Sequence, residues 1–492
     1  MTLPNPLLPG FNPDPSIVAV DGTYYLVTST FEYLPGIPVY RSPDLTTWTH
    51  IGNVASRPSQ AGVGEVPTRG GVWAPTIRYR DGVFYVIVTI AMSPRGCVVF
   101  TATDPAGPWS DGTTIDGIGG IDPDLAWDDD GTAYVTFSGL YTSGERAGQH
   151  LGIQQARVDL TAGKALEEPR SLWSGTGLKF PEAPHLYRRG GYWYLMIAEG
   201  GTERGHCVSV ARGPSPAGPF TGHPANPVLS ARSTSRPVQN TGHADLVAAP
   251  GGGDALVLLG TRPLGAMVSF SPLGRETFIT PVTWTDGWPQ PSPVLLAPGE
   301  GIAENFDFAD PSALDDPGWL AVRATPASMA SAGGGSLAIV GHCGLDDPHP
   351  QFVGRRQRHL SAVVSATLDA SAGAGGLAAR YDEDNWFALE ARGPVVTARA
   401  HLGGIEQTWQ GVVPGGPVEL RIELSPPPAG FGAAALGGDR IRLLAGGTLL
   451  AELDGRYWSA ETCASFTGRV IGMYASEGTV RFSGYRYQGS DA

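Results

Sequence analysis

Alternation of apolar and polar positions repeats five times along the first 300 residues. Each unit has a polar group, usually with proline, then an apolar residue, a glycine-bearing turn and an aromatic–aliphatic run. The units begin at Asp14 (DPSIVAVDGTYYLVTST), Ala74 (APTIRYRDGVFYVIVTI), Asp122 (DPDLAWDDDGTAYVTFSG), Ala183 (APHLYRRGGYWYLMIAEGG) and His243 (HADLVAAPGGGDALVLLG), at intervals of 60, 48, 61 and 60 residues. Each unit predicts a β-hairpin, and Asp21-Gly22 and Asp81-Gly82 are strong two-residue hairpin turns. A spacing of about 50–60 residues leaves room for two further strands per unit, which predicts a five-bladed β-propeller.

A weaker repeat lies between the hairpins: Arg41-SPDLTTW, Thr103-DPAGPW and Arg212-GPSPAGPF. Asp44 and Asp104 read there as turn formers before an outer strand rather than as catalytic groups. The texture then changes. The stretch Pro289-QPSPVLLAPGEG has the composition of a linker, and beyond it Ser361-AVVSATL, Val418-ELRIEL and Arg440-IRLLAGGTLLAEL alternate as strands separated by Gly-rich turns. The chain is therefore expected to be all-β: a propeller over residues 1–300 and a β-sandwich over 305–492. No helix of any length is expected.

Composition agrees with this picture and narrows the partners. The chain has 492 residues, with 69 Gly and 43 Pro, 41% hydrophobic and only 16% charged, which suits short strands and turns better than helices or disorder. A net charge of −14 argues against nucleic acid or an anionic membrane, since phosphate binding needs clustered Lys and Arg. No run approaches the roughly 20 apolar residues of a membrane span. The opening MTLPNPLLPGFNPDPS lacks a basic segment followed by an apolar one, so the expected location is cytoplasmic. Cys97, Cys207, Cys343 and Cys463 are far apart and read as free thiols.

In a propeller the inner strands run along the central axis, so equivalent positions at their ends converge on one mouth. The repeats put Asp14, Asp122 and Glu182 at or beside that position, with Trp73 from the second unit and His243 from the fifth. Glu182 stands one residue before the equivalent of Asp14, in register with Trp73, so it should project differently. Clustered acids cost stability and persist where chemistry needs them. Metal-free hydrolysis of a glycosidic bond needs one protonated carboxyl to protonate the leaving oxygen and one carboxylate to act on water or on carbon. A third carboxylate beside the acid would raise its pKa. Each residue also has a plainer reading. Asp14 alone could cap a turn, Glu182 could be a surface residue, and His243 could be a core histidine. Asp122 has a rival in Asp124, which shares the register of Ser16 and Thr76, whereas Asp128 to Asp130 read as a hairpin turn.

At these residues the chain resembles glycoside hydrolase family 43, in its β-xylosidase branch. The matching stretches are GFNPDPSIV, YYLVTSTFEYLPGIPVYRSPDLTTW, GGVWAPTIRY, IDPDLAWDDDG, PEAPHLY, YWYLMIAEGG, TGHADLV and SPLGRETFITPVTWTDGWP. The C-terminal part resembles that branch's lectin-like β-sandwich through LAARYDEDNWFALE and FTGRVIGMYASEG. The resemblance implies that Asp14 is the general base, Glu182 the general acid, and Asp122 the residue that tunes and orients the acid. It implies further that Phe31 and Trp73 wall the sugar pocket, that Arg275 reaches a sugar hydroxyl, and that His243 sits at the axis. The implied reaction inverts the anomeric centre, with acid and base roughly 6.5–9.5 Å apart. The implied activity is release of xylose from the non-reducing ends of xylo-oligosaccharides, with α-L-arabinofuranosidase as a side activity or as the main one. No cofactor is required; a calcium ion at the axis near His243 occurs in some relatives, and no ligand spacing here compels a metal. Homo-oligomers are common in the group. Two readings remain beside it: a retaining fructan- or sucrose-cleaving enzyme, against which Ile121-Asp122-Pro123 lacks the expected Arg-Asp-Pro, and a carbohydrate-binding protein without turnover.

Overall fold

A computed structural model describes residues 3–141, 144–265, 268–297, 299–430 and 432–491 of the chain. Five antiparallel sheets follow one another in the first part, led by the inner strands Ser16–Val20, Gly71–Arg80, Gly120–Trp127, Glu182–Arg189 and Gln239–Ala248. Each inner strand turns back into the second strand of its own sheet, as the hairpin reading requires. In the first two blades Val20 pairs with Thr23 and Arg80 with Val83, which leaves Asp21-Gly22 and Asp81-Gly82 as two-residue turns. Both residues of each turn have positive φ, 49° and 77° in the first and 51° and 83° in the second. This twist matches that of the flanking strands. Asp44 and Asp104 are turn residues: Asp44 Oδ1 accepts from the backbone N–H of Thr46 and Thr47 at 2.8 Å, and Asp104 Oδ1 from Ala106 at 2.9 Å.

The ring is closed by the N-terminal segment rather than by a shared blade. Asn5 lies against the fifth blade, donating from Nδ2 to the carbonyls of Ile279 and Leu295 and accepting from the Ile279 N–H, all at 2.9 Å. Gly10 N–H donates to Glu276 at 2.7 Å a few residues later.

The C-terminal part is a sandwich built on two long strands, Ser361–Asp382 and Val470–Ser490, which pair with each other from Ser361 opposite Ser490 to Arg380 opposite Val470. The alternating stretches named above are strands here, Val418–Ser425, Arg440–Ala445 and Thr448–Asp454 among them. Helical segments are single turns such as Pro58–Ala61 and Pro326–Met329. The sandwich is not a separate bead. Tyr33 and Leu34 of the first part pair with Val322 and Ala321 of the second. One apolar cluster also takes Phe11, Phe31 and Tyr33 from the propeller with Leu320, Trp386 and Tyr474 from the sandwich. Buried apolar area contributes about 25 cal/mol per Å², so a shared cluster of large aromatics fixes one part against the other.

Replacing Asn5 with Ala strands a buried N–H and two carbonyls at the closure, where each unsatisfied group costs about 1–3 kcal/mol. The expected result is a melting temperature lower by several degrees in a thermal melt. An unchanged melting temperature would show that the latch does not hold the ring.

Candidate active site

The same backbone irregularity recurs at the inner end of every blade. Asp14, Ala74, Asp122, Ala183 and His243 all have left-handed φ, between 45° and 56°. Such values are uncommon outside glycine and persist only where the surroundings enforce them. The register slips at the same place, between Trp73 and Thr76, Ile121 and Asp124, Glu182 and His185, and Gln239 and Ala244. A bulge of this kind re-aims side chains at the rim of a closed structure. In the first and third blades the left-handed residue is itself the aspartate. In the second and fourth it is an alanine, and the residue before it, Trp73 or Glu182, enters the mouth instead. The one-residue offset of Glu182 is thus the backbone's way of bringing a longer acid to the same space.

That space is a hollow of about 70 Å³ lined by Asp14, Phe31, Trp73, Asp122, Glu182, His243 and Arg275. At about 10–15 Å³ per water it has room for some five to seven waters, comparable to a single small sugar ring. All seven residues singled out in the sequence meet here. Ile121, Thr202, His206, Leu259 and Phe466 complete the lining. Phe466 comes from the sandwich, stacks on Phe31 at 5.9 Å with an 18° interplanar angle, and meets Trp73 edge-on at 5.5 Å. The sandwich thus supplies one wall of the hollow.

The three acids are held differently. Asp14 accepts from Ser29 Oγ at 2.6 Å and from Arg275 Nη1 at 3.0 Å, with His243 Nδ1 3.7 Å away. Burial alone would raise its pKa, but Arg275, His243 and Ser29 outweigh that and hold the carboxyl below its ordinary value. Glu182 is the reverse: burial, then the charges of Asp122 and Asp14, push its pKa well above the ordinary value. Asp122 is raised to about 7, by burial and by Asp14. Its Oδ2 accepts from the Ala183 N–H at 3.1 Å, one residue after Glu182, while Ser138 Oγ donates to the Pro181 carbonyl at 2.8 Å, one residue before it. The acid is therefore tethered on both sides. His243 and His206 are kept neutral by burial, at about 3 and about 4.

Arg275 is committed within the protein: besides Asp14 it donates to Thr202 Oγ1 at 3.1 Å and to the Phe466 carbonyl at 3.2 Å. Its visible work is on Asp14 and on the sandwich wall. Asp124 does not line the hollow. It lies fully buried beneath it, bonded to Arg78 at 2.6 Å and to the Leu186 N–H at 2.9 Å. The same guanidinium reaches Asp245 at 3.0 Å and His185 Nδ1 at 3.0 Å. The Arg78 guanidinium, bonded to both carboxylates, already occupies the place a divalent cation would take between them. Among the described residues no group of three or more His, Cys, Asp or Glu is arranged to hold a metal.

Ser29, Ser138, Thr202, His206 and Phe466 escaped the sequence reading. Ser29 and Ser138 occupy strand-end positions that any small polar residue could fill. His206 and Thr202 lie in a loop outside the repeat. Ser29 lies within YYLVTSTFEYLPGIPVYRSPDLTTW and Phe466 opens FTGRVIGMYASEG, but the first stretch does not single out its serine and the second is otherwise informative about the sandwich alone.

A five-bladed propeller with one ionised and two pKa-raised carboxyls in a sugar-sized hollow defines a glycoside hydrolase. The chain belongs to glycosyl hydrolases family 43, whose model matches residues 3–289; the beta xylosidase C-terminal concanavalin A-like domain matches residues 306–487. It is 36% identical to a non-reducing end alpha-L-arabinofuranosidase of Bacteroides ovatus, over 96% of this chain and 91% of the relative. It is 33% identical to a beta-xylosidase of Bacillus subtilis, over 82% and 81%. The crystal structure of a xylan beta-1,4-xylosidase from Bacillus halodurans superposes with a TM-score of 0.86 at 28% identity, covering 99% of this chain and 100% of the other.

Because the native fold raises the Glu182 pKa, its contribution to stability is full below the ordinary carboxylate value and is lost as pH rises toward the raised one. Glu182→Gln removes that penalty. The melting-temperature difference between Glu182→Gln and the unmodified protein should therefore grow in favour of the variant from about pH 4.5 upward. A difference independent of pH would contradict the raised pKa.

Proposed function

We propose that this protein is an inverting, exo-acting β-1,4-xylosidase that releases xylose from the non-reducing ends of xylo-oligosaccharides, with α-L-arabinofuranosidase side activity. Asp14 is the general base, Glu182 the general acid and Asp122 the positioning residue that keeps Glu182 protonated and oriented. The observation that carries this reading is the opposed ionisation of Asp14 and Glu182 inside one hollow: one carboxylate is held charged by a guanidinium, and the other is denied a counter-ion.

The chemistry follows from that opposition. A sugar in the hollow packs against Phe31, Trp73 and Phe466, whose apolar faces suit the ring's axial C–H groups. Glu182 takes no hydrogen bond among the described residues, so its proton is free for the glycosidic oxygen. As that bond breaks, Asp14 takes a proton from a water that attacks the anomeric carbon from the opposite face. The proton moves from Glu182 to the leaving hydroxyl, and Asp14 ends protonated until solvent exchange restores both. Arg275 orients Asp14 and steadies its charge. The small volume and the Phe466 wall favour terminal cleavage, since a chain could not continue through the closed side.

Arabinofuranosidase as the main activity is the second reading, favoured by the name and the near full-length match of the Bacteroides ovatus relative. Rates on the two nitrophenyl glycosides decide between them. The mechanism is tested by NMR of the first-formed sugar: α-xylose from a β-xyloside is expected, and β-xylose would refute inversion.

Glu182→Ala should lower kcat on xylobiose by about 10²–10⁴-fold and far less on a nitrophenyl xyloside, whose leaving group needs little protonation. Asp14→Ala should abolish both. Equal losses on the two substrates in Glu182→Ala would remove it from the acid role. Asp122→Asn deletes a charge that raises Glu182, so the alkaline limb of the kcat/KM profile should move to lower pH while the acid limb, set by Asp14, stays. An unmoved alkaline limb would show that Asp122 does not tune the acid.

A further inference from the structure

A second, larger cavity of about 370 Å³ lies between propeller and sandwich and shares no lining residue with the hollow. The propeller contributes Tyr40, Trp48 and His50 to its wall, and the sandwich contributes Arg355, Arg356 and Arg358. Three arginines in four positions would normally be matched by acids. Arg355 has Asp316 at 2.9 Å and Glu304 at 3.9 Å, and Arg358 is also bonded to Glu304. Arg356 has no carboxylate. It is 6% exposed, its Nε donates to the Phe11 carbonyl at 2.6 Å, and its Nη2 is buried without a partner among the described residues. Two cavity-wall side chains share this condition: Trp48 Nε1 and His50 Nε2 are likewise buried and unpartnered.

Buried charges are normally paired, and an uncompensated one is among the costlier features a fold can carry. Three arginines against two acids leave one positive charge over, and it belongs to Arg356. His50 does not add to it, because burial and Arg356 lower its pKa to about 4 and leave a neutral imidazole. Just beneath the wall therefore lie a guanidinium nitrogen and an indole N–H with nothing to donate to, and an imidazole nitrogen that a hydroxyl could satisfy. The Trp48 ring adds a flat apolar surface, and the cavity is about five times the volume of the catalytic hollow.

We propose that this interdomain cavity is a binding site for a hydroxylated carboxylate of monosaccharide size, a sugar acid, either free or as an acidic side group of an oligosaccharide. The carboxylate pairs with Arg356, the geometry for which guanidinium is suited. Trp48 Nε1 donates to a ring or carboxylate oxygen, and a hydroxyl donates to His50 Nε2. Modest side-chain movement brings these nitrogens to the ligand, and Asp316, 40% exposed, marks the solvent side. Since the walls come from both parts, occupancy also fastens sandwich to propeller.

Calorimetric titration of the full chain with glucuronate tests this, with glucose and sulfate in parallel and saturating xylose present to block the hollow. Saturable binding of glucuronate, absent with glucose and much weaker with sulfate, is expected. Arg356→Gln should weaken it by about 10–100-fold, the worth of one charge-assisted hydrogen bond, and Trp48→Phe, which keeps the ring and loses the N–H, by about 3–10-fold. Hydrolysis of nitrophenyl xyloside should be unchanged in both variants. A glucuronidated xylo-oligosaccharide binding more tightly than glucuronate itself would identify the attached side group as the source, and the reverse order the free acid. Glucose binding as well as glucuronate, sulfate binding more tightly than glucuronate, or affinity unchanged in both variants would overturn the proposal.

Discussion

Three carboxyls share one small hollow, and among the described residues a single guanidinium lines it with them. That imbalance governs the site. Arg275 sits on Asp14, so Asp14 alone keeps its charge cheaply, and the repulsion it exerts falls on Asp122 and Glu182. A second cation near Glu182 would ionise it and remove its proton. Arg275 in a different place would leave Asp14 without its counter-ion. The placement of one positive charge therefore sets the ionisation of all three acids, and the neutral histidines His206 and His243 preserve that pattern by adding no further charge.

The fold is arranged to tolerate this. Five strand ends aim inward together, and the carboxylates of the polar spine beneath them are all bonded: Arg78 joins Asp124 and Asp245, while Ser16 and Tyr187 each donate to Asp245 at 2.6 Å. These bonds tie the first, second, third, fourth and fifth blades at the axis. Breaking one partner of a buried pair typically costs about 3–5 kcal/mol, so the spine resists the splaying that repulsion above it would drive. Electrostatic strain in the hollow is set against a floor whose carboxylates are held by Arg78, Ser16 and Tyr187.

Much of this was legible in the chain because a propeller writes its geometry into a repeat. Period, turn residues and the aligned start of each unit located the hairpins, and from them Asp14, Asp122 and Glu182 converge. The offset of Glu182 was visible as a shift by one residue. Its cause, a left-handed residue at each blade end, was not, because Asp, Ala and His share no propensity that announces it. Asp124 was separable from Asp122 only by register, and the structure buries it against Arg78 outside the lining of the hollow. Arg275 was found through its motif, but its bond to Asp14 spans 261 positions, and no local pattern encodes such a pairing. Phe466 was hidden for the same reason, lying in a stretch whose periodicity speaks only of its own sheet.

The two-residue ladder between Tyr33–Leu34 and Leu320–Val322 begins one position after Glu32, next to Phe31. A propeller loop that lines the hollow is thereby stitched into another module's sheet. The chain divides into two modules in sequence but not in mechanics. Exchanging the C-terminal half for that of a distant cousin would be felt first inside the hollow, not as loss of an appendage, because the graft would reset the aromatic ring on which Phe31 stacks.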